Sequence, residues 1–164
     1  MPLTAVVITV SDRGSRGERV DGSGPVVAEM LGAAGAEIVG REMVPDDQPE
    51  ISRLLIEWCD AKGADLIVTT GGTGVAPRDV TPEATRAVIE RELPGMGEAM
   101  RRKSAEVTPH AMISRALAGI RGRTLIVNLP GSPKAARENL GVLLPALAHA
   151  VAKIKGDESE CASP

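Results

Sequence analysis

The feature that most constrains this chain is a set of four short runs rich in apolar and β-branched residues. They are Thr4 to Val10 (TAVVITV), Glu37 to Met43, Asp65 to Thr70 (DLIVTT) and Thr124 to Leu129 (TLIVNL). The runs carry apolar residues on both parities, so neither face of such a strand is set aside for water, and burial on both faces is the signature of a parallel sheet. Helical stripes separate them. Val27, Met30, Leu31 and Ala34 follow Pro25, which is read as the N1 residue of its helix. Ile51, Leu54, Leu55, Trp58 and Cys59 follow Pro49 in the same way. Thr81-Pro82 and Ser132-Pro133 each read as an N-cap followed by an N1 proline. The last helix carries Ala136, Leu140, Leu143, Leu144, Leu147, Val151 and Ile154, and Pro145 is predicted to kink or split it. Alternating strands and helices give an α/β fold, a three-layer open and mostly parallel sheet with helices on both faces. Residues 95–119 break the alternation and are read as adding one or two helices.

A length of 164 residues implies one domain, with about two-thirds of the unfolded surface buried. We place that domain at residues 1–155 and read 156–164 (GDESECASP) as a polar, disordered tail. Phe and Tyr are absent and Trp58 is the only aromatic residue, so the core must be aliphatic. A chain without aromatic platforms, with net charge −3 and pI near 5.5, lacks what a nucleic-acid partner needs. Cys59 and Cys161 have no metal-type spacing and fit a reducing compartment. The start of the chain has no basic leader, and Ala5 to Val10 is too short for a signal core or a membrane span. A cytoplasmic address without membrane attachment is expected.

In an open parallel sheet, ligands bind beyond the carboxyl ends of the strands. The loops expected there are Ser11 to Gly17 (SDRGSRG), Pro45-Asp46-Asp47, Thr70 to Thr81 (with Gly71-Gly72-Thr73-Gly74 and Arg78-Asp79) and Pro130-Gly131-Ser132-Pro133. All are rich in glycine, hydroxyl or charge. The Gly71–Gly74 loop admits two readings: a tight turn, or a cradle of N–H groups for an anion. Ser132 is either a plain cap or part of a phosphate site at a helix N-terminus, with Lys134 beside it. Asp46 and Asp79 are candidates to hold Mg²⁺ while substrate phosphates complete its shell. Asp79 also lies where it could cap the helix after Thr81, and Asp47 reads as a solvated turn residue. His110 and His149 have no carboxylate or Cys at ligand spacing, and Arg101, Arg102 and Lys103 read as a solvated helix face. Ser11 and Ser15 lack a base and orienting partner, which leaves a serine nucleophile unsupported.

These loops are recognisable together. Thr9 to Arg13 (TVSDR), Pro45 to Asp47, Thr69 to Thr85 (TTGGTGVAPRDVTPEAT), Pro94 to Arg101 (PGMGEAMR), Ser114-Arg115-Ala116 and Asn128 to Lys134 (NLPGSPK) resemble the MogA/MoaB family, to which the G domain of gephyrin also belongs. Their order and spacing fit from about residue 4 to 153. The Arg78 to Glu83 pattern (RDVTPE) is similar to the adenylyltransferase branch, whereas the short length after the PGSPK helix is MoaB-like.

The resemblance implies an enzyme that transfers AMP from ATP to the terminal phosphate of molybdopterin and releases pyrophosphate, within molybdenum cofactor biosynthesis. It implies Mg²⁺, a homotrimer, and a downstream MoeA-like molybdate insertase. Asp46 and Asp79 match the family's catalytic, metal-holding aspartates. Ser11, Asp12, Gly71, Gly72, Thr73, Gly74, Pro130, Gly131, Ser132 and Lys134 fall in its substrate-binding loops, and Arg13 and Arg78 are further candidates for contact with phosphate. The alternative is a non-catalytic, MoaB-like molybdopterin-binding or scaffold protein.

Overall fold

The computed structural model, which describes residues 2–161, gathers the apolar runs into the parallel centre of one six-stranded sheet. Strand β1 (Thr4–Val10) lies between β2 (Glu37–Val44) and β3 (Leu66–Thr70), and β3 pairs with β6 (Thr124–Leu129). Two further strands, β4 (Arg91–Glu92) and β5 (Ala118–Arg121), continue the sheet antiparallel to give the order β2-β1-β3-β6-β5-β4. Their pattern is weak in sequence because β4 spans 2 residues and β5 reads Ala-Gly-Ile-Arg.

Alternation along the strands divides the core. Ala5, Val7, Leu66, Val68, Val127 and Leu129 face helices α2 (Ser23–Ala33), α5 (Pro94–Ala105) and α6 (Pro133–Ile154). Val6, Ile8, Ile67 and Ile126 face α3 (Gln48–Ile56), its π-helical extension Glu57–Ala61, and α4 (Thr81–Arg86). A four-residue helix, α1 (Asp12–Ser15), follows β1. The last expected helices appear as α5 and a 3₁₀ turn at Pro109–Ile113. No helix among the described residues is long and apolar enough to cross a membrane.

Several local expectations are corrected. β2 is an edge strand with Glu37, Val39 and Arg41 exposed, so it is not buried on both faces; the Trp58 ring covers it at Gly40, where a Cβ would overlap the indole. Pro25 sits within the first turn of α2, which begins at Ser23. Helix α6 runs unbroken through Pro145, so the split allowed for there does not occur. Pro145 and Gly141, whose carbonyl loses the bond, are both exposed, so the missing bond leaves no buried group unsatisfied. Thr81 is the first residue of α4 and not its cap: it is wholly buried, and its hydroxyl donates to the Gly71 carbonyl at 2.9 Å. Arg101 leaves the solvated face predicted for it and donates to the Ala116 carbonyl at 2.7 Å, while Arg102 and Lys103 stay exposed. Residues 156–161 are exposed, and the end of the expected tail, 162–164, lies outside the described residues.

One buried polar cluster ties the layers together under the site. Asn128, wholly buried on β6, donates through Nδ2 to Thr69 Oγ1 on β3 and Thr85 Oγ1 on α4, each at 3.0 Å. Removing it leaves two buried hydroxyls without that partner. Asn128→Ala is expected to lower unfolding stability by about 2–3 kcal/mol, the cost of unsatisfied buried groups plus a small cavity. Urea denaturation followed by Trp58 fluorescence measures it, and a loss under about 0.5 kcal/mol would contradict the role given to this cluster.

Candidate active site

The carboxyl ends of β1, β3 and β6 stop side by side, and their loops enclose a cleft of about 550 Å³. That is within the range of small-molecule sites. Of the residues singled out in sequence, Ser11, Asp46, Gly71, Gly72, Asp79, Gly131 and Ser132 line it. The other candidates do not line it. Pro130 offers its carbonyl to Thr70 Oγ1 at 2.8 Å, and Thr73 is buried. Gly74 backs onto Asp79, where a Cβ would come within 2.9 Å of Oδ2. Lys134 points to solvent with a side chain 78% exposed and lies 3.9 Å from Glu138. Arg13 is exposed.

The floor is backbone. Gly71 has φ +108°, and the place of its Cβ is filled by the Val10 carbonyl; Gly72 follows at φ +68°, a conformation that side chains rarely adopt. A Cβ on Gly72 would also stand 3.0 Å from Asp46 Oδ1, so the loop passes directly over that carboxylate. Ser132 caps α6, accepting from the Ala135 N–H at 3.1 Å, and the N-terminal end of α2 enters the same cleft through Gly22 and Ser23. Two helix N-termini therefore face the cleft, and both favour negative charge on a ligand.

Asp12 and Asp46 grip each other reciprocally. The Asp12 N–H donates to Asp46 Oδ2 at 2.9 Å, and the Asp46 N–H donates to Asp12 Oδ1 at 3.0 Å. Arg78 adds a fork onto Asp12, Nε to Oδ2 at 2.9 Å and Nη2 to Oδ1 at 2.8 Å. This bond to Arg78 is the main reason the Asp12 carboxyl is lowered to about 2. Asp46 moves the other way. Burial pushes its carboxyl up, and the charges of Asp12 and Asp79 push in the same direction, against a backbone hydrogen bond from Asp12. Asp79 does not cap α4: its Oδ2 accepts from the Ala76 N–H at 3.0 Å, within its own loop.

Sequence reasoning missed one wall of the cleft, made by Arg19, Val20, Asp21, Gly22 and Ser23, with Thr9 and Met43. Asp21 anchors that wall by accepting from Thr9 Oγ1 at 2.8 Å and from the Gly24 N–H at 2.9 Å. The available signal was Asp21 three residues before Gly24, a helix-start spacing that a start at Pro25 obscures. Neither His110 nor His149 reaches the cleft; both are exposed elsewhere. Among the described residues no group of three or more His, Cys, Asp or Glu could enclose a metal ion. A hard cation held by Asp46 and Asp79 would therefore depend on ligand oxygens for the rest of its shell.

The Arg78–Asp12 pair generates a pH prediction. Because the folded carboxyl lies near 2 and the unfolded one near 3.8, the pair's stabilisation is present above about pH 4 and is lost as pH falls towards 2. Arg78→Gln is expected to unfold at lower urea than the wild type at pH 6, with the gap closing between pH 4 and about 2. A gap that stayed constant across that window would show that Arg78 stabilises by some other means.

With this geometry in place, comparison with known proteins is specific. A family model described as a "probable molybdopterin binding domain" matches residues 6–149. The molybdopterin adenylyltransferase of Helicobacter pylori J99 is 45% identical over 153 residues, covering 92% of this chain and 87% of that protein. Gephyrin of Dictyostelium discoideum is 45% identical over 158 residues, covering 90% of this chain but 22% of gephyrin, so the chain spans about a fifth of that relative. The crystal structure of the molybdopterin biosynthesis enzyme MoaB from Thermus thermophilus superposes with TM-score 0.90 at 50% identity, covering 94% of this chain and 98% of that one. Matching over nearly its whole length in both sequence and fold, the chain belongs to this family of molybdopterin-binding domains.

Proposed function

We propose that the protein is a molybdopterin adenylyltransferase acting in molybdenum cofactor biosynthesis. The observation that carries this reading is the meeting of two carboxylates, Asp46 and Asp79, in one glycine-floored cleft that two helix N-termini also face. Relatives named for the same activity, about 45% identical, support it. The reaction joins an oxygen of the terminal phosphate of molybdopterin to the α-phosphorus of ATP and breaks the bond to the β-phosphate oxygen, so that pyrophosphate leaves with that electron pair. The nucleophile is an anion at neutral pH and needs no strong base, which suits a cleft without histidine.

What the residues must supply is position and charge compensation, the main contributions to this class of transfer. Gly71 and Gly72 present backbone close to the ligand, Ser132 and Ser23 stand at helix ends that attract phosphate, and Arg19 adds a formal positive charge. Asp46 and Asp79 are the residues that would hold Mg²⁺; burial first, and then the charges of Asp12 and Asp79, raise the Asp46 carboxyl, and a cation beside it would favour the charged form. Bound there, Mg²⁺ would neutralise phosphate charge and orient the leaving group. In the same reading the protein is a homotrimer in the cytoplasm, and its product passes to a MoeA-like molybdate insertase. Sedimentation at micromolar concentration reads the trimer, and a monomer would refute it.

A second reading, a MoaB-like protein that binds molybdopterin without transferring AMP, fits the matching family model, whose description names binding and no transfer. Product analysis separates the two. Purified protein incubated with molybdopterin, ATP and Mg²⁺ is expected to yield adenylylated molybdopterin and pyrophosphate, and binding without product selects the second reading.

Two substitutions test the assigned roles. Asp79→Asn keeps the shape and removes the charge; turnover is expected to fall by about two orders of magnitude or more while molybdopterin still binds. Near-wild-type turnover at saturating Mg²⁺ would remove Asp79 from the mechanism. Ser132→Ala is expected to weaken molybdopterin binding and to cost about 1 kcal/mol as a lost cap. A variant that loses that stability but binds normally would leave Ser132 a cap alone.

A further inference from the structure

The loop that carries Asp79 is held from behind by a residue with no assigned role. Between Gly74 and Val80 the chain has no regular secondary structure, and Val75, Ala76, Pro77 and Arg78 are exposed. The bonds inside the loop, from the Asp79 N–H to the Ala76 carbonyl and from the Ala76 N–H to Asp79 Oδ2, shape its tip but do not fix it to the body. Arg115, in the segment after the 3₁₀ turn, makes that attachment. Its backbone N–H donates to the Thr73 carbonyl at 2.8 Å, Nε to the Gly74 carbonyl at 2.7 Å and Nη2 to the Asp79 carbonyl at 2.7 Å, while Nη1 pairs with Glu83. One planar guanidinium thus spans the entry of the loop, the residue bearing the carboxylate, and the helix beyond it.

We infer that Arg115 is the positioning residue of the site, setting where the Asp79 carboxylate stands without touching substrate. This rests on the adenylyltransferase reading given above. The other attachment of the loop, Arg78 on Asp12, is a different kind of contact. It joins side-chain charges at the surface, with Arg78 64% exposed, where water and salt weaken an ion pair. The Arg115 guanidinium grips two carbonyl oxygens and a carboxylate and is not among the residues that line the cleft, so a phosphate bound in the cleft does not meet it. The loop can therefore lose the Arg78 contact and still keep Asp79 in place. A lysine cannot reproduce the grip, because its single ammonium lacks the planar fork that reaches two carbonyls and a carboxylate together. Arg115 is itself 38% exposed and lies outside the apolar core, so its replacement leaves the packing intact.

The test compares wild type with Arg115→Lys and Arg115→Ala. In both variants kcat for AMP transfer is expected to drop about 30- to 100-fold with KM for molybdopterin within about twofold, the pattern of a misplaced catalytic group. Low-millimolar guanidinium is expected to raise turnover of Arg115→Ala several-fold and to leave wild type unchanged. Hydrogen exchange should quicken in peptides covering residues 74–80 and stay at the wild-type rate around Asp46. A kcat within twofold of wild type in Arg115→Ala overturns the inference. So does a parallel loss of molybdopterin affinity with faster exchange throughout the sheet and no response to guanidinium, which would mark a general structural role. Wild-type protein that transfers no AMP contradicts the proposed function instead; exchange at residues 74–80 then decides the inference alone, and unchanged rates there in Arg115→Ala overturn it.

Discussion

The structure depends on the close approach of three strand ends at Gly71. The residue donates its N–H to the Leu129 carbonyl at 3.0 Å, sits against the Val10 carbonyl where a side chain would be, and accepts from the buried Thr81 hydroxyl at 2.9 Å. Gly131 packs on it from the neighbouring loop, and a Cβ there would stand 3.2 Å from the Gly71 Cα. Three loops are thereby drawn to one point, and the cleft is the space left beside it. Any side chain at Gly71 would have to part β1 from β3, so this backbone contact is what makes a site out of neighbouring strand ends.

On that floor the two carboxylates are held by separate devices. Asp46 is fixed through its reciprocal bonds with Asp12, whose own charge is balanced by Arg78. Asp79 is fixed through its backbone by Arg115. The separation has an electrostatic consequence. Asp12 sits in a compensated pair and its carboxyl is lowered, whereas Asp46 is half-buried beside like charges and its carboxyl is raised. The cleft thus keeps uncompensated negative charge at Asp46 and Asp79 beside helix ends that favour phosphate, an arrangement suited to a cation shared between protein and nucleotide.

Much of this was legible in the chain. β1, β3 and β6 announce themselves because burial on both faces requires apolar residues at every position, and the βα rule then puts Ser11, Asp46, Gly71 and Ser132 on one rim. β2 was misread as buried because an edge strand covered by a single indole keeps enough apolar residues to look central. Thr81 was misread as a cap because a threonine before a proline has that local chemistry, and only the fold brings the Gly71 carbonyl within its reach. The wall around Arg19 and Asp21 and the clamp at Arg115 were not legible as such. Asp21 meets Thr9 across 12 positions and Arg115 meets Asp79 across 36, contacts that no local pattern encodes.

The central claim is that Asp46 and Asp79 hold one cation against the phosphates of a nucleotide lying over the Gly71–Gly74 loop. A crystal structure of the protein with Mg²⁺ and an ATP analogue carrying a methylene group between the α- and β-phosphates tests it most directly. The account predicts a metal ion touching oxygens from both aspartates and from the analogue, with phosphate against the backbone of Gly71 and Gly72. A nucleotide seated away from this sheet edge, or a metal that touches neither carboxylate, would contradict it.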